Sequence, residues 1–355
     1  MSDIDEPSNG EHSPTEGVPA RSGISRRALL FGGIAVGGLA AVGGGALLYR
    51  EIRRSAGPEG TWVALSPIVP VPDAAPREPS PAAEPPGDDT TVAVWAHADD
   101  DIIFANPHLG AVIASGATLR TVFVTAGDAG RGLVYARQRE AGIRAAYDLM
   151  RGSTAPWETR EMTLLSGARA TRFVPVDDPR LSITVLRLPD GNLSAKGFPT
   201  TGDAGLTQLI NGTVPALEPV DGGPIFDARR LSDTIAELIH AGSPDRVMTN
   251  IPHESAFAHG DHPDHTCVGS LVRAVAPSVG VPADAVTYYI GYPSQHEPAN
   301  VFGAALDAKV DVYEVYAAQD PVVTCHGPAA CLAQPGFGQW LRRSYAKTDT
   351  ELRLV

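Results

Sequence analysis

From about residue 88 onward, short apolar runs alternate with stretches of helical spacing. Val92–Ala96 is a continuous apolar run and reads as a buried strand. Leu109–Ser115 reads as a short apolar helix stopped by Gly116. Leu119–Thr125 is a second strand, closed by the turn Ala126–Gly130. Between Val134 and Met150, the residues Ala136, Ala141, Ala145, Ala146 and Leu149 recur at helical spacing. Leu181–Leu188 is a strand ending in the turn Pro189-Asp190-Gly191. The pattern then predicts a helix over Phe226–Ala241, a strand over Arg246–Ile251 and a helix over His265–Val275. It closes with a strand over Val286–Gly291 and a long helix over Phe302–Gln319. Strands separated by helices build βαβ units. The expected fold is therefore α/β, with a Rossmann-like, mostly parallel sheet, helices on both faces and a single catalytic domain.

The first quarter of the chain has a different character. Residues 1–24 are polar and acidic and could not form a core. In residues 25–50, Arg26-Arg27 precede a charge-free apolar run from Ala28 to Tyr49. Twin arginines before such a run read as a signal that exports folded proteins. The run is also long enough to anchor the chain in a membrane, and no clean A-x-A site follows it. Removal and retention of the signal both stay open, and the expected location is extracytoplasmic, secreted or membrane-anchored. Nine prolines between Pro58 and Pro86 make residues 51–87 a largely extended spacer, leaving 88–355 as the folded domain.

Composition narrows the function classes. A formal charge of -13 leaves no basic stripe for nucleic acid. Three cysteines exclude a disulfide scaffold. In an oxidising compartment Cys325 and Cys331, which enclose a short loop, are expected to pair; a zinc site of Cys325, His326 and Cys331 is the competing reading. Cys267 reads as a small buried hydrophobe.

Two clusters carry the chemistry: Ala96-His97-Ala98-Asp99-Asp100-Asp101 and His262-Pro263-Asp264-His265. The first leaves the end of a strand, where open α/β sheets place their ligands. Asp100, three residues beyond His97, can turn back to the same point, and His265 opens a helix at the same sheet edge. Two imidazoles and one carboxylate with an open position have the composition of a catalytic zinc centre, one ion per chain. Asp99 would point elsewhere, free to take a proton from water. His262 can protonate a leaving amine or hydrogen-bond an oxyanion, and Asp264 can orient an imidazole. The three aspartates lack the alternation and glycine of an EF-hand calcium loop. No G-x-S-x-G elbow supports a serine hydrolase, and Gly127–Gly132 lacks the frame of a phosphate cradle. Arg139 and Glu140 can be read as plain surface charges.

These segments, together with Gly127-Asp128 and Arg137-Gln138-Arg139-Glu140, resemble the zinc-dependent de-N-acetylases of the LmbE-like or PIG-L family over about residues 91–320. The resemblance implies His97, Asp100 and His265 as zinc ligands, Asp99 as base, and His262 as the residue that stabilises the intermediate or protonates the amine. It also implies a sugar contact at Arg137 and a weaker one at Asp190. Ala98 and Asp101 depart from the family's usual proline and glutamate. Gly260 stands where some members carry a tyrosine that aids the oxyanion, so that help must come from elsewhere. The expected activity is removal of an acetyl or longer acyl group from an amino-sugar glycan or glycoconjugate, with membrane contact only through residues 28–49 and only if the signal is retained. A glycan-binding protein with a non-hydrolytic metal site, and a metal-dependent hydrolase of a non-sugar amide, are the rival readings.

Overall fold

The computed structural model describes residues 79–355 apart from Pro86 and Asp88. The predicted signal or anchor at 25–50, the polar residues before it and most of the spacer lie outside the described residues. Among the described residues no helix is long and apolar enough to cross a membrane.

Eight strands form one sheet in the order β3-β4-β5-β2-β1-β6-β7-β8. Its parallel centre consists of β1 (Thr90–Trp95), β2 (Thr118–Thr125), β5 (Leu181–Leu188), β6 (Arg246–Asn250) and β7 (Val286–Tyr289). These pair in parallel as β5-β2-β1-β6-β7. The sheet therefore grows to one side of β1 first and to the other side later, and the order reverses between β1 and β6. At such a reversal the loops leaving neighbouring carboxyl ends diverge and open a crevice.

The strand residues alternate between two cores, as the pleat requires. Val92, Val94, Val122 and Val124 face one core, while Ala93, Trp95, Leu119 and Phe123 face the other. The first core is closed by two helices, Ala228–Gly242 and Pro263–Val275. The second is closed by three, His108–Ala114, Leu133–Arg151 and Gly303–Ala317. In chain order these five helices are α1 (His108–Ala114), α2 (Leu133–Arg151), α3 (Ala228–Gly242), α4 (Pro263–Val275) and α5 (Gly303–Ala317). The expected α/β sheet with helices on both faces is the observed architecture.

The edges were not legible. β3 (Trp157–Thr163) and β4 (Arg169–Pro175) form an antiparallel hairpin that extends the sheet beyond β5. β3 is a mostly exposed edge strand with three charged side chains, so no apolar run announces it. On the far side, two residues, Ala346–Lys347, pair antiparallel to β7 as β8. The amino-terminal approach to the domain is held by side chains. Ser80 Oγ donates to Glu237, and Glu84 bridges Arg120 (2.6 Å) and Arg172 (3.0 Å).

Candidate functional site

β1 delivers the first cluster to the crevice. The chain turns at once, with Asp99 N and Asp100 N both donating to His97 O at 2.9 and 3.2 Å, and passes into a π-helical turn at Asp101–Ala105. The turn folds Asp100 back on His97. His97 N donates to Asp100 Oδ2 at 2.9 Å, and Asn250, at the end of neighbouring β6, donates to the same oxygen at 3.3 Å. Asp100 Oδ1 is left pointing at the imidazoles. It lies 3.5 Å from His97 Nδ1 and 3.0 Å from His265 Nε2, and the two nitrogens are 3.2 Å apart. The three groups expected to share an ion thus converge on one point.

The outward nitrogens of both rings are held by carboxylates. His265 Nδ1 donates to Asp261 Oδ1 at 2.8 Å, and His97 Nε2 to Asp264 Oδ2 at 3.3 Å. In the neutral rings this arrangement puts the protons on those outer nitrogens and leaves lone pairs on the inner ones. Two lone pairs and a carboxylate oxygen facing one another repel unless a cation lies between them. A tetrahedral ion with bonds of about 2.0–2.1 Å spaces its ligand atoms by roughly 3.3 Å, which the observed triangle matches. The residues present therefore fit a zinc-like dication. His262 also brings a ring nitrogen within 4.8 Å of His97 and His265. Its Nδ1, however, accepts from Asp264 N at 3.1 Å and caps α4, so the tighter triangle is the better-formed site.

Two glycines make room for the supporting carboxylates. A Cβ on Gly191 would fall 2.4 Å from Asp264 Oδ1, and one on Gly291 would fall 2.5 Å from Asp261 Oδ1. Gly191 N donates to Asp264 Oδ2 at 2.8 Å and Gly291 N to Asp261 Oδ2 at 3.2 Å.

The electrostatics follow from burial among these groups. Burial alone would lower the His97 pKa, but the Asp100 carboxylate outweighs it and holds the ring well above its ordinary value. His265 is likewise pushed up to about 9, because Asp100 and Asp261 overcome its desolvation. Burial would raise Asp100, yet His265 and His97 hold it well below the usual carboxylate range.

Asp99 turns away from the triangle and meets Arg139 of α2 in a buried ion pair. Burial raises its pKa to about 6, with Arg139 opposing the rise. Arg139 also donates to Tyr316 Oη and Gly127 O, both at 2.7 Å, and lies 3.7 Å from Asp320. Asp320, just past α5, accepts from Tyr135 at 2.8 Å and Tyr316 at 3.0 Å.

This network corrects two sequence-based expectations. Arg139 and Glu140 are buried, and Glu140 clamps Arg187 of β5 at 2.7 and 3.0 Å rather than sitting at the surface. Arg137, expected at the sugar, is exposed and absent from the cavity lining, where the arginines are Arg131 and Arg139. Two residues on a helix differ by about 200° in direction, so Arg137 and Arg139 cannot share a face.

The cavity over the cluster has a volume of about 460 Å³. His97, Asp99, Asp100, His262 and Asp190 open onto it, whereas His265 lies buried behind them. His262 Nε2 is 3.8 Å from Asp190 Oδ1. Burial, aided by His97, lowers the His262 pKa to about 4, so the ring is neutral at pH 7 with its proton on Nε2. Part of the lining, packed beside His262 and His265, is aromatic. Tyr292 and Trp340 stack at 4.3 Å with 9° between their planes, beside Phe104 and Phe337. Cys325 and Cys331 are disulfide-bonded and so unavailable as ligands, and they staple the segment that brings Val322, Val323, Phe337 and Trp340 to the cavity. Cys267 is free and buried.

Sequence reasoning missed Asp261, Arg139, Asp320 and Tyr292. Asp261 carried a usable signal, its four-residue spacing from His265. Asp320 and Tyr292 carried none, because only the packing of α5 and of the loop after β7 brings them to the site.

The family described as GlcNAc-PI de-N-acetylase, PIG-L, matches residues 92–276. Among curated proteins none matches this chain. Among solved structures, N,N'-diacetylchitobiose deacetylase from Pyrococcus horikoshii is 14% identical with a TM-score of 0.40, over 73% of this chain and 82% of that one. A conserved protein from Thermus thermophilus is 18% identical with a TM-score of 0.37, over 73% and 92%. A deacetylase of the teicoplanin biosynthesis pathway is 17% identical with a TM-score of 0.39, over 64% and 83%.

Proposed function

This chain belongs to the GlcNAc-PI de-N-acetylase (PIG-L) family, matched over more than half of its 355 residues, and from that premise we propose a zinc-dependent hydrolase that removes the N-acetyl group of an amino-sugar substrate outside the cytoplasm. The observation that carries this reading is the convergence of His97 Nδ1, Asp100 Oδ1 and His265 Nε2 within 3.0–3.5 Å, beside a buried, unliganded carboxylate at Asp99.

A dication held by His97, Asp100 and His265 would polarise the amide carbonyl and acidify water. The chain's own groups do the rest. Arg139 grips Asp99 Oδ1 and fixes the carboxylate, leaving Oδ2 to take a proton from water as general base. His262, neutral with hydrogen on Nε2, donates to charge developing on the carbonyl oxygen. Its low pKa makes it a hydrogen-bond donor in the resting state, not a standing acid. The proton collected by Asp99 is the one available to the leaving amine. Asp190 and Asn192, in the cavity lining, offer acceptors and donors suited to sugar hydroxyls.

Export is supported by the twin arginines before the apolar run at 28–49 and by the Cys325–Cys331 bond, which persists in oxidising compartments. The test is metal analysis of the purified protein together with amine release from a panel of N-acetyl sugars and non-sugar amides. Stoichiometric zinc with new primary amine on N-acetylglucosamine is the expected result. Sugar affinity without amine release would sink the proposal in favour of a binding protein.

A further inference from the structure

We infer that the hydroxyl of Tyr292, in the loop after β7, donates a hydrogen bond to the carbonyl oxygen as it gains charge, making Tyr292 a catalytic residue alongside His262. The inference rests on the amidase reading above.

The loop carrying Tyr292 is tied to the metal-ligand shell. Asp261 Oδ1, which holds His265 Nδ1, also accepts from Tyr292 N at 3.0 Å. On the other side Trp340 Nε1 donates to Tyr292 O at 3.1 Å while the two rings stack. Backbone and ring plane are thus both fixed. The ring meets His265 and His262 edge-on, with centroids at 5.1 and 6.0 Å, and it lines the same cavity as His97, Asp99 and His262.

The hydroxyl itself is the unusual feature. The other described tyrosines all spend theirs on protein partners. Tyr135 and Tyr316 bond Asp320, Tyr147 bonds Asp101, and Tyr288, Tyr289, Tyr313 and Tyr345 are bonded at a distance from the cluster. Tyr292 Oη has no hydrogen-bond partner among the described residues, and it is not one of the polar atoms sealed away from solvent. A phenol on a residue that lines a cavity, reachable by solvent and not engaged by the protein, is a donor held ready for something that enters.

Charge gives the direction. Asp99, Asp100 and Asp190 line the cavity, and carboxylates repel an oxyanion. Of the two arginines in the lining, Arg131 is exposed and lies over the Tyr135 ring, and the buried Arg139 is already engaged by Asp99, Tyr316 and Gly127. The neutral donors left facing the cluster are His262 Nε2 and Tyr292 Oη.

Tyr292→Phe tests this, because it keeps the ring and its stack on Trp340 and removes one oxygen. The expected result is a kcat for amine release from N-acetylglucosamine lower by about 100-fold, with KM changed less than about twofold. Zinc content and melting temperature should match the unaltered protein. A second reading comes from binding of the methylphosphonamidate of glucosamine, a tetrahedral mimic, whose Kd should rise in Y292F by a similar factor. Equal kcat and equal mimic affinity in the two proteins overturn the inference alone. An unaltered protein that neither releases amine nor binds the mimic overturns the amidase reading, and this inference with it.

Discussion

His97 Nδ1 lies 3.2 Å from His265 Nε2, although 168 residues separate them along the chain. Each ring is held by a carboxylate on its far nitrogen, so in the neutral rings the inner nitrogens carry lone pairs that, with Asp100 Oδ1, face one point where a cation could join them.

Replacing one of these ligands should separate metal binding from proton transfer. His265→Ala is expected to lose both zinc and turnover. Asp99→Asn should retain zinc while turnover falls by about 100-fold or more. Elemental analysis beside amine-release assays checks both, and full activity in Asp99→Asn would refute the assigned base.

Asp261 touches the proposed ligand His265 and would act on a bound ion through it. Asp261→Asn should weaken zinc affinity by about 10–100-fold without abolishing it. Competition with a chromogenic chelator measures this, and unchanged affinity would show that the His265–Asp261 bond at 2.8 Å does not tune the ligand.

Metal uptake should release protons. Without a cation the Asp100 and Asp261 carboxylates favour the protonated imidazole at His265, and Asp100 does so at His97, against the effect of burial, while the two rings hold Asp100 ionised. Zinc must displace the imidazole protons, so about one to two leave per ion bound at pH 7, and affinity falls as pH is lowered. Calorimetry in buffers of different ionisation enthalpy counts them, and a count of zero would contradict the assigned ligands.

Arg139 is the neighbour that lowers the Asp99 pKa against the rise caused by burial. Taking that cation away raises the pKa further, so in Arg139→Gln the acidic limb of the kcat/KM profile should move to higher pH. Arg139→Lys keeps the charge and should leave the limb close to its original place. Identical limbs in all three proteins would detach Arg139 from the base.

The disulfide closes only a short loop. Its removal in Cys325→Ser/Cys331→Ser should cost about 2 kcal/mol of stability. Because the stapled segment carries part of the cavity wall, KM should rise more than kcat falls. Thermal unfolding with and without reductant, paired with kinetics, checks this, and an unchanged KM would make the staple purely structural.

Much of the fold was legible because a buried parallel strand must be continuously apolar and a covering helix must repeat every 3.6 residues. β1, β2, β5, β6 and β7 and their covering helices announce themselves in this way. The edge hairpin β3–β4 does not, since an exposed strand needs no apolar run. His97, Asp100 and His265 could be picked out as a ligand set from residue type and from their place at predicted strand ends. The face of α2 that reaches the site could not, and Arg137 was expected there where Arg139 arrives.

What the sequence determined by itself was the central strands with their covering helices and the composition of the candidate metal site, because both are written in local spacing. Tertiary structure decided which carboxylate orients which imidazole, which arginine holds the base, and that Tyr292, Asp320 and Trp340 close the cavity. Those choices depend on the relative rotation and docking of elements far apart in the chain. No local pattern encodes such a rotation; it is set by how the two cores pack against the sheet.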